Sequence, residues 1–329
     1  MSTPDTAPLP TRAPDEPVQR GLTLRQREQR LAWVLVLPAV LAVAGLVIFP
    51  VLWNITLSVQ RIRLIDLQSV DFLDIDPTIA NFSRVTGVRS FWEVIRTTVI
   101  YTVGGTVLSI VLGLWAALVV KKVFIGRSVV RGLMLFPYVA PVIAVTFVWR
   151  LMLNPTFGIV NEWVDGAGLT RIDFLGRRDI VLDLFAFHLT LPLALTMVIL
   201  FEAWRYFPFA FLFILARVQA LPSELEEAAT VDGATLTQRF RYITLPQLSG
   251  VLSVLFLLRF IWTFNKFDDI FLLTGGAAGT EVITLSIVDW LLGRGDIGSA
   301  AALSIILAGF LFVLLFVYYR FFFTEEVAE

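Results

Sequence analysis

Glu224-Leu225-Glu226-Glu227-Ala228-Ala229-Thr230-Val231-Asp232-Gly233-Ala234, followed after eight residues by Ile243-Thr244-Leu245-Pro246, is a polar island between two long apolar runs. Pro222 and Ser223 open a helix whose first turns carry three glutamates, where the macrodipole favours negative charge. Asp232-Gly233 then ends it, because glycine reaches the backbone angles that close a helix. A second short helix, amphipathic and basic at Arg239 and Arg241, runs to Leu245-Pro246, where the next apolar run begins. A helix–turn–helix held between two membrane spans is a shape for docking at the membrane surface; an ordinary charged inter-helix loop is the plainer alternative.

Outward from this island the composition is that of a membrane protein. Hydrophobic residues make up 57% of the 329 and charged residues only 16%, and that length holds about six spans of roughly 20 residues plus loops. The net charge of −1 gives no case for nucleic acid. With no cysteine, disulfides and thiolate chemistry are excluded, and a single histidine, His188, rules out histidine-cluster metal sites.

The apolar runs predict spans at about residues 31–57, 97–120, 132–153, 191–216, 245–267 and 298–323. Residues 1–30 are expected to be a disordered, then basic, segment, with Arg25 to Arg30 as a cytoplasmic anchor. Lys121 to Arg131 carries basic residues and no acid, so it belongs on the cytoplasmic side. Pro137 and Pro141 are expected to kink the third span. The fourth admits two readings, ending at Phe201 or continuing through Glu202 and Arg205; the continuous one returns the polar island, residues 217–244, to the cytoplasm. Six crossings leave both termini cytoplasmic, with a short tail at 324–329.

No GxxxxGK[ST] phosphate loop occurs, so any ATP is hydrolysed by another chain. Asp268-Asp269 reads as a solvated rim at the outer end of a span. Intramembrane charge is more informative. Glu202 and Arg205 stand i,i+3 and are positioned to pair, and Arg259, Thr263 and Lys266 line one face of the fifth span. Trp204, Tyr206, Phe207 and Trp262 stand beside them, and polar groups interleaved with aromatic rings suit a sugar cavity. A structural clamp with interfacial aromatics and snorkelling cations is the competing reading.

The spelling Glu227-Ala228-Ala229-x-x-x-Gly233, then Ile243-x-Leu245-Pro246, resembles the EAA loop of permease subunits from binding-protein-dependent ABC importers. Leu37-Pro38, Asn81-Phe82, Gly113, Pro137-Tyr138, Pro141, Asn154-Pro155, Gly158, Asn161, Leu273-Thr274-Gly275-Gly276 and Gly298 are similar to the carbohydrate branch of that family, of maltose-importer F type or glycerol-phosphate-importer A type. The resemblance implies an all-α, six-span type I permease fold without catalytic activity in a bacterial inner membrane. It implies a second permease subunit, two ATP-binding subunits that carry ATP and magnesium, and an extracytoplasmic solute-binding protein. This chain would bind no cofactor. ATPase coupling would fall on Glu227, Ala228, Ala229, Asp232, Gly233, Ile243, Leu245 and Pro246. Substrate contact, to a disaccharide or oligosaccharide such as trehalose or maltose, would fall on Tyr138, Val142, Glu202, Trp204, Arg205, Tyr206, Arg259, Thr263 and Lys266.

Charged groups where the maltose importer has small polar or neutral ones leave a glycerol 3-phosphate or glycerophosphodiester importer open. From other classes, an ion-coupled secondary transporter would use Glu202 and Arg205, and a glycosyl-transferring enzyme would use Asp268-Asp269. The loop spelling disfavours both.

Overall fold

A computed structural model describes residues 24–66, 77–184 and 187–322. They form two compact units divided between Trp53 and Asn54. In the first, α1 (Leu24–Val43) passes through a π-helical turn at Ala44–Ile48 into α2 (Phe49–Ser58), within which the division falls. The basic segment Arg25 to Arg30 is helical as part of α1, and the residues before Leu24, on which the expectation of disorder falls, lie outside the described residues. Pro50 accounts for the π turn: a proline lacks the N–H and crowds the carbonyl four residues back. The Phe49 N–H reaches Ala44 instead, five residues back.

The second unit continues with α3 (Ala80–Thr86), α4 (Phe91–Val119), α5 (Arg127–Val139), α6 (Val142–Met152) and α7 (Ile159–Gly166). A hairpin of β1 (Asp179–Leu184) and β2 (Phe187–Pro192) pairs Asp179 with Pro192 and Leu184 with Phe187. It leads into α8 (Leu193–Gln219), α9 (Ser223–Val231) and α10 (Leu236–Arg239). After a π-helical segment at Phe240–Thr244 come α11 (Leu245–Phe264), α12 (Asp268–Thr274), α13 (Ile283–Val288) and α14 (Ile297–Phe322). Among the described residues five helices are long and apolar enough to cross a membrane, or six with the bent α5–α6 pair counted as one span.

Differences from the sequence reading have local causes. Helix α4 begins at Phe91, not near residue 97, because Phe91 and Val94 are buried with Phe260, Phe264, Ile283 and Leu303. The apolar run entering the fourth span splits: the alternation His188-Leu189-Thr190-Leu191-Pro192 suits a strand, and Pro192 then precedes the helix. Glu202 and Arg205 lie inside α8, so that helix does not end at Phe201. Pro141 produces a 94° break between α5 and α6, with Ala140 extended, rather than a kink. The fifth span is continuous back to Leu236. Pro246, like Pro50, follows a π turn, with the Leu245 N–H reaching Phe240.

Helices α4 and α8 run parallel, as their register shows. A Cβ on Gly104 would stand 3.1 Å from Ile199, one on Gly105 2.7 Å from Glu202, and one on Gly113 2.7 Å from Ala210 and 2.8 Å from the Phe211 nitrogen. Small residues let backbones approach this closely where no hydrophobic gain drives helix association. Helix α11 returns antiparallel, with Thr263 at Glu202 and Gln247 at Arg217. Toward the elbow end, Ala116, Val120, Phe211, Ile214, Leu248 and Leu255 are buried together; toward the other end, Tyr101, Val145, Val198, Phe201, Ile270 and Leu273 are.

Candidate functional site: a charged cluster behind an aromatic wall, and an exposed elbow

Glu202 on α8 is met from two helices. Arg259 Nη2 donates to Oε1 at 2.6 Å, Thr263 Oγ1 donates to the same oxygen at 3.0 Å, and the Tyr101 hydroxyl donates to Oε2 at 3.0 Å. All four residues are at most 2% exposed. A buried carboxylate is tolerable only when paired and fully hydrogen-bonded, and here both oxygens are satisfied. Gly105 on α4 supplies the room, since any side chain there would strike the Glu202 stem.

Arg205 does not pair with Glu202. Three residues along a helix leave two side chains about 60° apart around the axis, and Arg205 turns toward the α5–α6 break. Its Nη1 donates to the Pro137 carbonyl at 3.2 Å, and both Nη atoms donate to the Ala140 carbonyl at 3.1 Å. A break inside a span frees carbonyls that lipid cannot satisfy. Here a guanidinium satisfies them, at the end of α5 where the dipole favours a cation.

Asp268 and Asp269 separate in role. Asp268 is half exposed as a rim residue would be, whereas the Asp269 side chain is 1% exposed. Folding of α12 against α6 and α8 carries Asp269 inward, to 3.6 Å from Lys266 Nζ and 3.9 Å from Arg205 Nε, with no hydrogen bond to either of its oxygens. Burial and the neighbouring Glu202 push its carboxyl up to about 7, against the opposing pull of Lys266. The solvated-rim reading thus holds for Asp268 alone.

Tyr206 closes the cluster. Its ring lies 4.3 Å from Lys266 Nζ, 4.5 Å from Arg259 Cζ and 5.6 Å from Arg205 Cζ, all within cation–π range. Lys266 lies beyond the end of α11, so it reaches the cluster from the following turn, and it donates to the Tyr206 hydroxyl. Tyr138 sits edge-on to Tyr206 at 6.0 Å and near Phe209 at 6.3 Å, and Phe209 meets Trp262 at 5.1 Å. With Tyr138 at 42% and Trp262 at 46% exposure, these rings make an accessible aromatic wall in front of the buried charges. The sequence reading missed Phe209, a phenylalanine among many in an apolar run.

One of the expected substrate residues, Trp204, packs away from the wall. Trp204 packs on Trp149 at 5.6 Å and lines an apolar cavity of about 630 Å³ with Phe136, Val139, Pro141, Val145 and Val148. Val142 opens α6 just past the break. Glu202, Arg259 and Thr263 are brought together but buried within the chain, so they support Tyr206 rather than face the wall's open side.

The elbow is built by its own turn chemistry. At the end of α9 the Ala234 N–H donates to the Ala229 carbonyl and the Gly233 N–H to the Thr230 carbonyl, with Gly233 at φ +79°, a Schellman motif. Thr235 and Gln238 then form a capping box that starts α10. Arg239 Nη1 donates back to Thr230 Oγ1 at 2.6 Å, and Glu226 forms an ion pair with Lys121 on the α4–α5 turn. Glu227, Ala228, Asp232, Gly233, Leu245 and Pro246 are exposed; Ala229 and Ile243 are half-buried.

Residues 109–323 match the family model described as binding-protein-dependent transport system inner membrane component. The chain is 32% identical over 286 residues to the trehalose/maltose transport system permease protein MalF of Thermococcus litoralis, covering 86% of this chain and 90% of that protein. It is 34% identical over 283 residues to the inner membrane ABC transporter permease protein YcjO of Escherichia coli, covering 84% and 88%. A chain of a bacterial alginate ABC transporter, solved in complex with an alginate pentasaccharide-bound periplasmic protein, shares the fold at a TM-score of 0.72 and 21% identity, over 89% of this chain and 94% of that one. This protein is therefore a multi-pass membrane protein that belongs to the family of binding-protein-dependent transport system inner membrane components.

Proposed function

We propose that the chain is half of the translocation pore of an ATP-driven sugar importer, coupled to a separate ATPase through α9. The observation that carries this reading is the elbow: a short helix closed at its C-terminal end by a Schellman motif and followed at once by the capping box of α10, with Glu227 and Asp232 exposed. Two ATPase subunits, holding ATP and magnesium, would close beneath it, and a locked helix transmits that motion where a loose loop would absorb it. A second permease subunit would complete the pore, and a soluble binding protein would deliver the sugar at the end opposite the elbow. Both termini and the elbow then share the cytoplasmic side.

A disaccharide or oligosaccharide such as trehalose or maltose fits the aromatic wall, whose rings would stack on the C–H faces of a sugar while the Tyr206 and Tyr138 hydroxyls meet its hydroxyls. Lys266 at the wall's edge favours one second reading, a glycerol 3-phosphate or glycerophosphodiester importer, because its cationic side chain is partly exposed, at 19%. Uptake of labelled trehalose and maltose against labelled glycerol 3-phosphate, in cells carrying the assembled system, separates the two.

Glu227→Ala is expected to insert normally, to lose ATPase co-purification or to abolish uptake. Unchanged uptake together with unchanged ATPase recruitment would overturn the coupling. Because the chain has no cysteine, single cysteines at Asp232 and at Arg171 report the sidedness to an impermeant thiol reagent without background. Labelling of Asp232→Cys from outside intact cells would refute the orientation.

A further inference from the structure

The α4–α5 turn carries a cationic site that neither the coupling elbow nor the aromatic wall uses. Arg127 Nε donates to the Val120 carbonyl at 2.9 Å, and Arg131 Nη2 points at the same oxygen at 3.5 Å. With its amide turned to accept, the Gln219 side-chain oxygen takes Arg131 Nη2 at 2.5 Å and Arg127 Nη2 at 3.1 Å. Two guanidiniums one helical turn apart thus converge on two neutral oxygens. Arg131 Nε is buried without a hydrogen-bond partner. Among the described residues neither arginine, nor the exposed Lys122 beside them, forms an ion pair; Glu226, reaching this turn from α9, is taken by Lys121. Capping the α4 carbonyl explains one guanidinium, since a cation at a helix C-terminus is favourable. It does not explain two like charges held together with nothing negative between them.

The setting says what the missing anion is. The turn joins two membrane-spanning segments, so it lies at a bilayer surface whichever way the chain is oriented. Its tip is apolar and bare, with Val123 87% and Ile125 104% exposed beside the half-exposed Phe124. An apolar tip ringed by cations enters the boundary between headgroups and acyl chains, as interfacial segments do. We propose that Arg127, Arg131 and Lys122 bind the phosphate of an anionic phospholipid of the adjoining leaflet, with Val123, Phe124 and Ile125 seated among its acyl chains. Basic pockets between spans recognise such headgroups by charge and by the fork geometry of arginine. The lipid would brace the turn to which the elbow is tied through Lys121 and Glu226. The site stands independently of the sugar reading, since neither its residues nor its test involve transport.

Native mass spectrometry of the purified full-length chain, titrated with phosphatidylglycerol or phosphatidylcholine, tests this directly. Phosphatidylglycerol is expected to be retained in preference to phosphatidylcholine, and R127Q/R131Q to weaken that retention roughly thirtyfold, given the usual strength of each cation at an anionic surface. Should the double variant fail to fold, K122Q and V123S/I125S, which touch no internal hydrogen bond, are each expected to lower retention. Equal retention of the two lipids, or of phosphatidylglycerol by parent and variants, overturns the proposal. So does displacement of the lipid by millimolar inorganic phosphate, which would make the ligand a soluble anion.

Discussion

Glu202 and Arg259 meet at 2.6 Å on two antiparallel helices, with side chains 0% and 2% exposed. Removing one partner leaves an uncompensated charge in a dry site, at a cost of about 3–5 kcal/mol. Glu202→Leu or Arg259→Met alone is therefore expected to lower the thermal unfolding midpoint of the purified chain sharply. The double variant should fall by less than the sum. Additive losses would mean that the two side chains act separately.

Arg205 holds the broken span through three charge-assisted hydrogen bonds to two carbonyls. Arg205→Lys keeps the charge but not the fork, so it should lose most of this bracing. Spin labels placed on α5 and α6 should report a broader distance distribution in the variant, and uptake should fall while membrane insertion persists. An unchanged distribution would show that the bend needs no clamp.

Gly113 stands where a Cβ would lie 2.7–3.0 Å from Ala210, the Phe211 nitrogen and the Phe207 carbonyl. Two of these are backbone atoms that cannot step aside. Gly113→Val should destabilise the chain by several kcal/mol, whereas Gly132→Ala, which meets nothing within 4 Å, should be near neutral. Equal yields of folded protein from both would refute the close packing.

Gly233 has open space around it but φ of +79°, so its constraint is conformational. Valine should cost about 1–2 kcal/mol in the elbow and asparagine much less. ATPase co-purification should rank glycine, asparagine, valine in that order; any other order would point to a side-chain contact instead.

Asp269 should make stability depend on pH. Its carboxyl is raised in the folded chain to about 7 from an unfolded value of 3.8, so the folded state binds the proton more tightly. That contribution is fully present below the unfolded value and is lost as pH rises toward neutrality. Asp269→Asn should flatten the decline in unfolding midpoint between about pH 4 and 7; an unchanged slope would assign it to other groups.

What could be read from the chain alone follows from range. The elbow was legible because proline before a helix and glycine after it act over a few residues, and Gly233 sits where its sign of φ demands. The recurrence of Arg259 and Thr263 one turn apart correctly marked a single polar face. Their partner was not legible: i,i+3 spacing offered Arg205 to Glu202, while the true partner came from the register of α8 against α11. Asp269 was hidden for the same reason, since adjacency to Asp268 says nothing of a chain that doubles back. The hairpin before α8 was lost in an apolar run that both a strand and a span could claim.

The interlocking of α4 with α8 carries one last consequence. The Glu202 stem seated on Gly105 and the α8 backbone seated on Gly113, eight residues further along, form a keel. Neither helix can slide along the other without driving Ala210 or the Glu202 stem through main chain. Any rearrangement would have to swing this pair as a whole, so hinges belong beyond it, around Ala220 and before Phe91 and Leu193.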